Sequence, residues 1–294
     1  MFKEKHKELV KYILPSAGGM CVGAVSNIFL DWLFIFPLNM GLKGAAIASG
    51  LGQVFSFLIL ISHFVHKNGQ LRFRYYIPKI SVIWDLFNRG IPEFLTQLNT
   101  PVTALCYNWV LLNSVGDVGV ATFSILSFIY SFAYAILSGV AQGLQPLWGR
   151  AFGGNNNEML KSYFGSGLKI NFITSIVIVG FLIVFRSQSV GIFTRENELI
   201  EMTTKALPIF AVSFIFMALN LIYTAYFYST KQTVKSDIVA INRCVALKIL
   251  FIFAIPRFFG VEYVWSSVLI AEVMTYLICL ILEKKWNTKK KNSG

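Results

Sequence analysis

The chain has 294 residues, 55% of them apolar and 14% charged, with a formal net charge of +12. A charged share that low, against about 25% in soluble domains, excludes an ordinary soluble domain. The apolar residues collect into stretches of about 20, the length that crosses a bilayer as a helix. Runs such as Phe172–Phe185 do not alternate with a period of two, which excludes a membrane β-barrel.

In chain order the stretches predict eight transmembrane spans, at 12–38, 44–65, 90–113, 118–147, 166–185, 206–229, 238–256 and 261–282. The expected fold is an all-α integral membrane protein. Span one is too long for a cleavable signal peptide and lacks a small-residue cleavage site. The longest polar stretch, His66–Arg89, follows span two and divides the chain. The expected layout is a two-helix part of a first lobe (1–66), a basic cytoplasmic linker (67–89), a six-helix second lobe (90–283) and a basic tail (284–294). GLKGAAIASGLGQ at 41–53 and GVEYVWSSVLIAE at 260–272 both follow a Phe-Ile-Phe and a Pro-containing break. That pairs spans one and two with spans seven and eight, as in transporters built from two parallel lobes. KYILPSAGGM reads as the start of a first transporter helix, yet it runs into VGAVSNIFLDWLFIF, which reads as a fifth. Four helices of the first lobe are therefore expected to be missing.

Eight spans put both termini on one side. With that side cytoplasmic, 21 of the 26 basic residues lie inside and only Lys43, Arg186, Arg195, Lys205 and Arg257 do not. This is the positive-inside bias, so the charge reads as a topology device and not as a nucleic-acid surface. The expected location is the cell membrane, multi-pass, with both termini cytoplasmic. The four Cys stand singly in separate spans and the three His form no cluster, so no metal site and no cofactor are expected.

Three acids fall within the spans: Asp31, Glu93 and Glu272. Carboxylates are costly in lipid and are functional candidates by default. Taking a carboxyl out of water favours its protonated form, and an ionised one can ligate a hard cation through oxygen. Glu93 is the leading candidate for coupling to an ion. It follows Gly90-Ile91-Pro92, and Gln97, Thr100, Ala104 and Asn108 continue from it along one helical stripe. Pro101 frees a backbone carbonyl and permits a bend. The alternative is that Glu93 caps the helix at the cytoplasmic interface. Glu272 either lines a cavity or bonds a neighbouring helix. Asp31 is expected to bond Asn27, four residues away, as structure. Lys248 is expected to reach the interface along its stem. Met217, Asn220 and Tyr223 lie within two turns of span six and form a candidate substrate face with Gln97, Asn108 and Glu272. In SGVAQGLQPLWGRAFGG at 138–154, Gly139, Gly143 and Gly149 are expected to allow close helix approach, and Pro146 to mark a helix end. The segment lacks the Gly-Lys-Ser/Thr of a nucleotide loop.

At these residues the chain resembles the multidrug and toxin extrusion (MATE) family. GVAQGLQPLWGRAFGG at 139–154 is similar to that family's second-lobe signature, and NIFLDWLFIFPLNMGLKGAAIAS at 27–49 to its fifth and sixth helices. GIPEFLTQLNTPVTALCYN at 90–108 is similar to the seventh helix of its bacterial multidrug-efflux branch. The resemblance, over about residues 17–282, implies a secondary transporter that exports small, often cationic, organic compounds in exchange for H⁺ or Na⁺. It would place the family's seventh-helix acid at Glu93. Where some members carry an aspartate on the tenth helix, this chain has Asn220, which leaves a two-carboxylate cation site open to question. The alternatives are an inactive truncated transporter and a lipid-linked glycan flippase of the same superfamily. No catalytic constellation points to an enzyme.

Overall fold

The computed structural model describes residues 22–23, 25–65 and 78–292. The described elements are helices, and they fall into two compact units divided between Lys79 and Ile80.

In the first unit, α1 (Val25–Ile35) and α2 (Gly41–Val65) form a hairpin. Its turn needs left-handed backbone, supplied by Asn39 (φ 50°) and Gly41 (φ 54°). The two helices approach closely at Gly52, where an added Cβ would lie 2.9 Å from the Cβ of Asn27. Small residues at such crossings let membrane helices pack. Asn27 donates its amide to Ser49 Oγ of α2 at 3.4 Å and not to Asp31. Asp31 Oδ1 is buried without a hydrogen-bond partner. The expected Asn27–Asp31 bond is therefore replaced by one between helices.

The second unit holds α3 (Ile80–Gln97), α4 (Asn99–Ser114), α5 (Asp117–Gly153), α6 (Asn157–Val184), α7 (Arg186–Gly191), α8 (Asn197–Ser229), α9 (Thr233–Ile241), α10 (Leu247–Phe259) and α11 (Ser266–Asn292). A π-turn, Asn242–Ala246, joins α9 to α10. Among the described residues, six helices are long and apolar enough to cross a membrane; they begin at Gly41, Asp117, Asn157, Asn197, Thr233 and Ser266. Of the eight expected spans, the first is described at 22–23 and 25–38, where α1 occupies Val25–Ile35. The third is divided at Leu98 into α3 and α4, because Pro101 has no N–H to continue the ladder to Gln97.

The helices outrun the apolar windows that predicted them. Residues 80–89, expected in the linker, are the first turns of α3, and α11 runs through the expected tail to Asn292. Hydropathy detects only the part of a helix inside hydrocarbon, and backbone bonds continue past it. Helix α5 likewise passes through Pro146 to Gly153. The ring sits on an exposed face of the helix. Gly139, Gly143 and Gly149 lie against open space, and the close approach is instead at Gly167 of α6. There the Leu144 methyl and Trp148 of α5 fill the room that a side chain would need.

Helix α8 is the axis of the second unit. Phe210, Phe214, Met217, Leu221 and Ile222 are buried against α5, α6 and α11. Phe128, Phe132, Ile173, Val177 and Val184 are exposed on the outside, as a lipid-facing surface requires. Polar side chains join the helices inside: Asn171 of α6 donates to the Ala218 carbonyl of α8 at 2.7 Å, and Tyr107 of α4 to the Val264 carbonyl at 3.1 Å.

Candidate functional site

The centre of the second unit is charged. Lys248 is 1% exposed and Glu272 0%, against the expectation that Lys248 reaches the interface. The π-turn has turned it inward. Arg243 and Lys248 are five residues apart, a spacing that separates side chains on an α-helix but brings them together across a turn bonded i to i+5. Arg243 also is buried, at 1%. Both cations lie over tyrosines one turn apart on α5. The Lys248 ammonium is 5.2 Å from the Tyr130 ring centre, and the Arg243 guanidinium 6.0 Å from that of Tyr134. Cation–π attraction is strongest where water is excluded.

Four further groups complete the cluster. Lys248 Nζ donates to Asn99 Oδ1 at 2.6 Å, and Asn99 Nδ2 donates to the Tyr130 hydroxyl at 2.9 Å. Asn99 can reach inward because α4 restarts there, one residue after the break at Leu98. Glu272 Oε1 lies 3.9 Å from Lys248 Nζ, an ion pair without a hydrogen bond. Its other oxygen accepts from Asn220 Nδ2 at 2.8 Å, and the same amide donates to the Glu272 carbonyl at 2.9 Å. Cys279 Sγ lies 3.7 Å from Asn220 Oδ1. A small cleft, about 20 Å³, opens beside Lys248 between Asn99, Thr100, Thr103, Ser127, Tyr130 and Ser131. It has room for one water-sized group. Thr103 Oγ1, buried in its wall, has no partner.

A second, larger cleft of about 970 Å³ lies where α5 and α8 end and α6 begins. Phe164, Tyr226 and Phe227 line it, with Lys161, Gln232 and Glu283. The Phe164 and Tyr226 rings are 4.3 Å apart, and the Tyr223 hydroxyl donates to Glu283 Oε2 at 2.6 Å.

The residues expected to share a substrate face therefore separate. Asn220 and Glu272 meet. Met217 is fully buried in helix packing, and Tyr223 serves Glu283 at the larger cleft. Gln97 and Asn108 are exposed on α3 and α4. Glu93 lies on α3, with its side chain outside the described residues. Sequence reasoning missed Asn99, Tyr130 and Arg243. The break beside Asn99 was readable from Pro101, but the π-turn that brings Lys248 to the side of Arg243 left no legible signal. Among the described residues, no group of three or more His, Cys, Asp or Glu is placed to hold a metal, and Cys106, Cys244 and Cys279 are free thiols.

Known proteins share the family and the fold of this chain. The MatE family model matches residues 92–254, more than half of the chain. "Multidrug export protein MepA" of Staphylococcus saprophyticus is 27% identical over 270 residues, 90% of this chain and 58% of that protein. The MepA protein of Staphylococcus aureus strain RF122 is 25% identical over 266 residues, again 58% of its length. The chain thus spans just under three fifths of the curated relatives that it matches. Among solved structures, "Crystal structure of MATE in complex with MaL6" superposes with a TM-score of 0.84 at 24% identity, covering 93% of this chain and 63% of that one. A Pyrococcus furiosus transporter described by "Reverse polarity of binding pocket suggests different function of a MOP superfamily transporter" superposes at 0.83, with 24% identity and coverage of 93% and 62%. With the family model matching across α3 to α10 and the helical fold shared, this chain belongs to the MatE family.

Proposed function

We propose that the chain forms part of a secondary active transporter that exports small organic compounds across the cell membrane in exchange for H⁺ or Na⁺. The observation that carries this reading is the buried Lys248–Asn99–Glu272–Asn220 cluster, tied to a second cation, Arg243. Buried charge in lipid is too costly to keep for packing alone and marks ion and substrate pathways. An ion drives transport only by binding two conformations with different affinity. A cluster joining α4, α5, α8, α10 and α11 changes its own energy when those helices move.

The exported compounds are organic and cationic on this reading. The larger cleft supports it, since aromatic rings beside the Glu283 carboxylate suit an organic cation, and its volume falls within the range of drug-sized sites. By the topology read from the basic residues, that end of the unit faces the cytoplasm, from which an exporter loads. Glu93 is a proposed coupling carboxylate in addition to Glu272. Gln97 and Asn108, exposed on α3 and α4, are proposed as peripheral contacts whose loss leaves the rate near that of the parent. The test is transport of a fluorescent organic cation in proteoliposomes with an imposed H⁺ or Na⁺ gradient. Accumulation that follows a gradient supports the reading, and equal movement with and without one refutes it.

One observation favours a second reading. Arg243 is buried with Nε and both terminal nitrogens lacking hydrogen-bond partners. Two buried cations against one described carboxylate suit an anionic group, such as the phosphate of a lipid-linked glycan. Transport of a fluorescent anion and not of the cation, in the same vesicles, would favour that reading.

A further inference from the structure

We infer that Lys248 is a tethered cation, its ammonium holding an oxygen-lined position that would otherwise take a Na⁺ ion, so that Na⁺ is excluded from this site. The ammonium sits where a small monovalent ion would. Asn99 Oδ1 is 2.6 Å away, Glu272 Oε1 3.9 Å, and the Tyr130 ring face 5.2 Å. Carbonyl and carboxylate oxygens are the donors that hard cations select. Ammonium is the side-chain group nearest in kind to such an ion, a compact point charge with three donors.

The surroundings are set for an occupant and not merely for a lysine in transit. Glu272 Oε1 has no hydrogen bond of its own, while Asn220 fixes its other oxygen. The unpaired oxygen is therefore aimed at the ammonium by charge alone. The cleft of about 20 Å³ borders Lys248, with room for one water-sized group beside it. Arg243 brings a second buried positive charge to the same helices. A Na⁺ ion would be a third cation against the single described carboxylate of the cluster. The consequence, which rests on the transporter reading above, is that a Na⁺ gradient does not act through Glu272.

The test is equilibrium binding of ²²Na⁺ to the purified chain in detergent, alongside thermal unfolding in NaCl, KCl and choline chloride at equal ionic strength. Lys248→Ala removes the tethered charge and leaves both oxygens. It should bind Na⁺ at least tenfold tighter than the parent and show a rise in Tm specific to Na⁺. Lys248→Gln, which still bonds Asn99 but is neutral, should gain less. Lys248→Ala/Glu272→Gln should lose the gain. The inference is overturned if the folded single variants bind Na⁺ no tighter than the parent. It is equally overturned if the parent binds Na⁺ and Glu272→Gln abolishes that binding, a result that does not depend on either lysine variant folding. No gradient enters the measurement, so its failure is separable from a failure of efflux.

Discussion

The α3–α4 segment has two polar faces with opposite fates. One carries Gln97, Thr100 and Asn108, and it is exposed. The other carries Asn99 and Thr103, 4% and 9% exposed, above the fully buried Tyr107. Helical spacing found the first face, because four of its five positions from Glu93 to Asn108 are polar, Ala104 being the exception. The second holds one amide, Asn99, followed by Thr103 and Tyr107, and it is the one that reaches Lys248. A stripe of polar side chains thus marks where a helix can meet water. A lone amide among apolar neighbours marks where it meets a buried charge, because in lipid an unpartnered polar group is costly.

The comparison breaks most sharply at Glu272. Glu272→Gln leaves Lys248 and Arg243 without the carboxylate of their cluster, and removing one partner of a buried pair destabilises by about 3–5 kcal/mol. A fall in Tm should follow, measured by thermal unfolding in detergent. Glu272→Gln/Lys248→Met should recover part of it, since removing both charges relieves the orphaned cation. Additive losses would mean that the two residues are not coupled.

Next in size is Asn99→Ala. It removes a hydrogen bond to a charged group and orphans the Tyr130 hydroxyl, a loss of about 1.5–3 kcal/mol. On the opposite face, Asn108→Ala should change stability by no more than about 0.5 kcal/mol, as exposed substitutions do. Equal effects on the two faces would erase the distinction between them.

The smallest expected effect has the opposite sign. Thr103 Oγ1 is buried without a partner, so Thr103→Val, of the same shape, should be neutral or stabilising by up to about 1 kcal/mol. A loss of more than that in the same unfolding measurement would show that the hydroxyl is bonded in solution.

Much of the fold is legible in the order of the residues. Apolar length indicates the helical class and the positions of α5, α6, α8 and α11, whose ends differ from the expected spans by up to ten residues. Pro101 marks the division of span three, and Gly260, at φ 107°, the turn after α10. At the candidate site, Asn220 and Glu272 stand out as polar residues deep in apolar spans. Lys248 and Arg243 are misread because a basic residue near a helix end is read as snorkelling or as a topology signal. At 3.6 residues per turn Arg243 continues the face of Ser236, Val239 and Ala240, and Lys248 falls off it. The π-turn changes the register by one residue, and neither Asn242 nor Ala246 announces it. Gly139, Gly143 and Gly149 mislead in the other direction, since a glycine permits close approach without requiring it.

The central claim is that the buried charge cluster, and not the exposed stripe, is the working centre of this unit. It is tested most directly by gradient-driven transport of a fluorescent organic cation in proteoliposomes bearing the parent, Glu272→Gln or Gln97→Ala/Asn108→Ala, each first shown to unfold cooperatively. The account predicts that an imposed pH gradient drives transport by the parent and by the stripe variant at similar rates, and that Glu272→Gln loses it at least tenfold. Transport by Glu272→Gln at the parent rate, with loss in the stripe variant, would contradict it.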